Sequence, residues 1–185
     1  MESLLPADAV QELKTMGFSI NWTLLKIGYE GDEFLPQLLS MDSVYQYAKE
    51  RLIEGADLDE DLVVRLIIDV EDGNGDDYEF LRTLESLVEI ECVSQLVQKR
   101  KWRAYLVEKG LSTLPNDYLN GLLDLASLWV SLGLPDDCPH IIQGRDNQYT
   151  PEAYYTQKTF NVLLEKNKQW LKDEVENIKS LEHRG

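Results

Sequence analysis

The stretch Asn116-Asp-Tyr-Leu-Asn-Gly-Leu-Leu-Asp-Leu-Ala-Ser-Leu-Trp-Val-Ser-Leu-Gly-Leu-Pro135 decides the fold. Leu119, Leu122, Leu123, Ala126, Trp129 and Val130 recur at helical spacing and predict an amphipathic helix that starts at Asn116. Gly133 and Pro135 mark its end, since glycine accepts the left-handed backbone of a helix terminus and proline cannot continue the helix. Downstream, Thr150-Pro151 reads as N-cap and first residue of a long terminal helix. There Phe160, Leu164, Leu171, Val175 and Ile178 repeat at intervals of 4, 7, 4 and 3. The two apolar stripes are predicted to pack against each other.

Working back towards the amino terminus, the spacing stays helical. Pro6 to Lys14 predicts a short first helix stopped by Gly17, and Ser19 an N-cap for a second helix through Ile20, Leu24 and Ile27 to Gly28. Ser40 caps a third, in which Met41, Val44, Ala48 and Leu52 form a stripe ending at Gly55. Asp57 and Glu60 resemble a capping box before Leu58–Val70. The β-branched Val63, Val64, Ile67, Ile68 and Val70 leave a buried strand open as an alternative there. After the loop Asp72-Gly-Asn-Gly-Asp76, one helix carries Phe80, Leu81, Leu84, Leu87 and Val88. Another carries Val93, Val97, Ala104, Val107 and Leu111 and stops at Gly110. The expectation is one all-α domain over residues 1–185: a bundle of seven or eight helices with a long C-terminal helix. No repeat or linker divides it.

Charge narrows the function. The chain has 185 residues, with 18 Lys+Arg against 34 Asp+Glu and a formal net charge of -16. Nucleic acid and anionic lipid surfaces both require concentrated positive charge, so neither is an expected partner. No apolar run approaches the roughly 18 residues of a membrane span, and no basic-then-apolar leader opens the sequence. A cytoplasmic protein is the expectation. Between Glu54 and Glu91 stand 14 Asp/Glu and 2 Arg, a balance of -12 within 38 residues. This segment is either a solvated face or a docking surface for a basic protein, on which complementary fields accelerate association. The candidate partner-binding residues are Asp57, Asp59, Glu60, Asp61, Asp69, Glu71, Asp72, Asp76, Asp77 and Glu79.

Other constellations carry less chemistry. A calcium loop starting at Asp72 would use Asn74 and Asp76, but its sixth position is Asp77 where glycine is needed, and its twelfth is Thr83 where a bidentate Glu is needed. Cys92, Cys138, His140 and His183 have no zinc-ligand spacing, and both thiols read as reduced and largely buried. No metal or cofactor is expected, and no catalytic residue is assigned: nucleotide and hydrolase signatures are lacking, and His140 has no assignable nucleophile. The basic cluster Lys99-Arg-Lys101 with Arg103 should cover a helix face, pair with acids and bury Trp102. The loop Pro135–Thr150 should be pinned by Ile141 and Ile142, with Gln143, Arg145 and Asn147 bonding nearby backbone.

Several of these residues carry a resemblance. Lys101-Trp102-Arg103, Leu119 to Trp129 with Gly133-Leu134-Pro135, Pro139-His140-Ile141-Ile142-Gln143-Gly144, Tyr154-Tyr155, and Trp170 with Glu174 resemble a bacterial family labelled only as a domain of unknown function. The likeness covers residues 99–178, with an echo at Ile20-Asn21-Trp22. It implies a small acidic protein of the kind found as immunity partners in polymorphic toxin systems, and it transfers no catalytic residue. The function expected is a non-catalytic cytoplasmic binding protein, an immunity protein that occludes a basic toxin domain. The alternatives are a general interaction adaptor and an enzyme using paired carboxylates; the oligomeric state is left open.

Overall fold

The structure, a computed structural model, describes residues 9–55, 59–71 and 77–183. Among the described residues it is all-helical, with nine helices, eight of them at least seven residues long. Backbone contacts group the chain into two compact units, one through Trp102 and one from Arg103.

The N-terminal unit holds α1 (Ala9–Thr15), α2 (Trp22–Glu30), α3 (Met41–Glu54), α4 (Glu60–Glu71), α5 (Asp77–Glu91) and the first turns of α6 (Gln95–Ser112). Helix α4 packs on both α3 and α5, and α2 packs on α5 and α3. The strand alternative for this segment is thereby settled as helix. Its β-branched residues divide by helical period: Val63 and Ile67 are buried beside Leu66, whereas Val64 and Ile68 face outward. Helix α2 starts two residues later than predicted. Asn21, not Ser19, is its N-cap, the side chain accepting the Leu24 N–H at 2.8 Å. The Glu91 carboxylate completes that cap, accepting from the Trp22 and Thr23 amides at 3.0 Å each. Ser19 serves another purpose, its carbonyl accepting the fully buried Lys101 ammonium at 2.8 Å. Gly28 does not end α2, which continues to Glu30. A Cβ at Gly28 would lie 2.4 Å from the Trp102 indole, so glycine permits that ring to seat on the helix. The indole N–H donates to the Leu24 carbonyl at 2.8 Å.

The C-terminal unit holds the rest of α6, α7 (Tyr118–Ser131), α8 (Pro151–Tyr154) and α9 (Gln157–Glu182). The predicted pairing of α7 with the terminal helix is present. Its core contains Leu122, Leu125, Tyr154, Phe160 and Leu163, with Leu111, Ile141 and Leu164 packed against it. The stripes differ in detail from the predicted ones. On α7 the buried line is Leu122, Leu125 and Trp129, and Leu119, Leu123 and Val130 are exposed. On α9 the line runs Phe160, Leu163, Asn167, Glu174 and Ile178, with Leu171 and Val175 half-buried beside it. Two polar residues occupy core positions there, which displaced the apolar reading.

Three boundaries also differ. Helix α7 starts at Tyr118 rather than Asn116, capped by Asp117, which accepts from the Leu119 N–H at 2.9 Å. Gly110 lies inside α6, where a Cβ would meet the Leu128 side chain at 2.6 Å; the helix runs on to Ser112. Thr150-Pro151 opens only the four-residue α8, because Tyr155 leaves the helical region and Thr156 caps α9 afresh through the Thr159 amide.

Candidate functional site

The acidic segment resolves into carboxylates that hold the N-terminal unit together and carboxylates that do not. Asp59 caps α4, accepting the Leu62 N–H at 3.1 Å, which corrects the predicted cap at Asp57. Asp69 accepts the Thr83 hydroxyl at 3.1 Å and ties α4 to α5. Glu71 accepts the Tyr45 hydroxyl at 2.6 Å and ties α4 to α3. Glu79 faces Arg65 at 3.2 Å and Arg82 at 3.8 Å. Glu60 and Asp61 are exposed in the first turn of α4 and make no ion pair among the described residues. Asp77 begins α5, and Asp57, Asp72, Asn74 and Asp76 lie outside the described residues. Thr83, the would-be twelfth ligand, is buried in α5.

Helical period sets Asp61, Val64, Ile68 and Glu71 on one outer face of α4. Val64 is 36% and Ile68 49% exposed. This places an apolar pair between acids. On sequence alone the segment reads as charge, with its β-branched residues open to a buried strand. The signal was present in the excess of apolar residues over what one buried stripe of twelve residues can hold.

The residues that carried the family resemblance are mostly structural. Arg103 donates two bonds to Asp137, at 3.0 and 2.8 Å, and one to the buried Glu174 at 3.1 Å. Its guanidinium lies 5.1 Å from the Trp170 ring centre, and the Trp170 N–H also donates to Asp137 at 3.1 Å. Trp129 donates its indole N–H to the buried Asn167, whose amide donates to the Leu163 carbonyl at 2.7 Å. Lys99 pairs with Asp32 at 2.6 Å, as a surface lysine should; Lys101 does not cover a face but is buried.

The loop after α7 is pinned as expected at Ile141, Gln143 and Asn147. Gln143 donates to the Tyr149 carbonyl and Asn147 to that of Ile142, at 2.8 and 2.7 Å. Arg145 differs, lying exposed beside Asp146 at 3.9 Å. His140 is buried. Tyr154 donates its hydroxyl to the Ile141 carbonyl at 2.6 Å, so the His140 Nε2 at 3.2 Å is the donor to Tyr154. Burial pushes His140 down to about 4 and Tyr154 up to about 12, keeping both neutral at pH 7. Cys138 is half-buried and its thiol pushed upward by burial, while Cys92 is exposed, contrary to the buried reading. It stands just past α5 with a φ of 52°, its N–H bonded to the Val88 carbonyl. Among the described residues no group of three His, Cys, Asp or Glu is placed to hold a metal ion, and no helix is long and apolar enough to cross a membrane.

Together these features define an all-α protein with an acidic, partly apolar outer helix face. The chain belongs to a bacterial family: the family described as an uncharacterized protein conserved in bacteria, DUF2247, matches residues 10–175. The match therefore takes in the N-terminal unit as well as the region of the motifs. No curated protein and no solved structure matches the chain.

Proposed function

We propose that the protein is a non-catalytic binding protein that acts in the cytoplasm by docking a basic protein partner on the outer face of α4. The observation that carries this reading is the juxtaposition of Glu60 and Asp61 with the exposed Val64 and Ile68. An interface needs an apolar centre that excludes water and a polar rim that selects and steers the partner. Glu60 and Asp61 suit the rim because they make no ion pair among the described residues, whereas Asp59, Asp69, Glu71 and Glu79 also stabilise the unit they stand on. The net charge of -16 exceeds the roughly 2–8 that keeps a small domain soluble, leaving a field available for steering.

The partner class that fits is a basic toxin domain, neutralised by occlusion, with the immunity protein encoded beside its toxin. The test is co-expression with the product of the adjoining gene. Wild type should rescue growth and form a purifiable complex, and Val64→Asp/Ile68→Asp should lose both while keeping its helical circular dichroism. Rescue by that variant at the wild-type level would remove α4 from the interface. No complex between the neighbouring products would remove the toxin reading.

A further inference from the structure

The C-terminal unit carries a groove of about 510 Å³ between the loop into α8 and the first turns of α9. That volume lies within the roughly 300–1,000 Å³ typical of small-molecule sites. Ile141, Tyr149, Ala153, Val162 and Leu163 give it an apolar lining. Lys158 and Lys166 also line it, each four residues from Val162 and therefore on the same helical face, about 12 Å apart along the axis. Both are exposed, and neither makes an ion pair among the described residues. Lys158 also stands in the first turn of the 26-residue α9, where the helix dipole adds to its positive charge.

We propose that this groove binds a small amphiphilic organic anion, with its apolar body over Val162 and Leu163 and its anionic head at Lys158. The arrangement separates the two chemistries such a ligand presents. The apolar lining takes the body out of water, and the Lys158 ammonium pairs with the head as a point charge without demanding the planar geometry that Arg would impose. Lys166 lays its methylene stem along the other end while its ammonium stays in solvent. A carboxylate and a phosphate monoester share this chemistry. The site is independent of α4, so its test does not depend on the docking proposal.

The test titrates decanoate, octyl phosphate and decanol into the full chain, followed by amide chemical shifts. Decanoate or octyl phosphate should saturate with a Kd below about 1 mM, with shifts concentrated at Ala153, Thr159, Val162 and Leu163. Lys158→Met/Lys166→Met should weaken the anions by about fivefold or more and leave decanol unchanged. Both lysines are exposed and make no ion pair among the described residues, so the variant should fold as wild type does. Equal anion affinity in the variant and wild type, decanol binding as tightly as decanoate, or shifts scattered away from the groove would each overturn the proposal. Preference for octyl phosphate over decanoate would assign the head as phosphate, and the reverse as carboxylate.

Discussion

Replacing Asn167 by Ala tests how the C-terminal unit is held. Asn167 is fully buried and accepts the indole N–H of Trp129, itself fully buried. Removing the acceptor leaves that N–H without a partner in the core, which costs about 1–3 kcal/mol. The vacated volume adds on the order of 1 kcal/mol. Alanine's better helix propensity returns roughly half a kcal/mol. The Leu163 carbonyl loses only a second bond, since the Asn167 backbone N–H sits one turn on along the same helix. The net loss should be about 2–3 kcal/mol. At roughly 2–4 °C per kcal/mol for a chain of this size, that is a fall in Tm of about 4–12 °C, measured by calorimetry. Trp129→Phe in the Asn167→Ala background should cost less than the two changes separately, with coupling of about 0.5–3 kcal/mol. An Asn167→Ala variant within about 0.5 kcal/mol of wild type, or strictly additive changes, would refute the argument that this bond matters.

Other predictions follow from burial. His140 is pushed down to about 4 from its ordinary 6.5, so between those values the unfolded chain holds a proton that the folded chain does not. The corresponding stability, about 3 kcal/mol, is fully present above pH 6.5 and lost as the pH falls towards 4. It is read as the difference between wild type and His140→Gln in pH-dependent unfolding, and a flat difference would refute it. Gly28→Ala should destabilise the N-terminal unit by about 1–3 kcal/mol, less the roughly 1 kcal/mol of propensity gained, because its Cβ would collide with the Trp102 ring; unchanged denaturant midpoints would refute that. Iodoacetamide should modify the exposed Cys92 before the half-buried Cys138, whose thiolate is disfavoured by burial; mass mapping of the first adduct decides.

Much of the architecture was legible because its punctuation is chemical. Ser40 and Gly55 bound α3 as read, and Gly133, with a φ of 76°, ends α7 where glycine and proline predicted. The errors share a cause. Gly28 and Gly110 read as stops because isolated sequence cannot distinguish a helix end from a close approach; here Trp102 and the Leu128 side chain occupy the space a Cβ would take. Asn167 and Glu174 were left out of the predicted α9 stripe because buried polar residues are rare without partners, and the partners Trp129 and Arg103 are 38 and 71 residues away in sequence. The acidic surface was legible as charge. Its division into bonded and unbonded carboxylates was not, because Tyr45, Thr83 and Arg65 reach it only through tertiary packing.

The docking face proposed on α4 is tested most directly by stopped-flow association of the protein with the basic partner proposed above. Glu60→Lys/Asp61→Lys changes two exposed groups that serve no ion pair among the described residues, so folding should be retained. The association rate constant should fall about tenfold or more at low ionic strength, with a smaller change in dissociation. Its salt dependence should flatten as steering is lost. A variant that associates as fast as wild type, with the same dependence on salt, would contradict docking through this face.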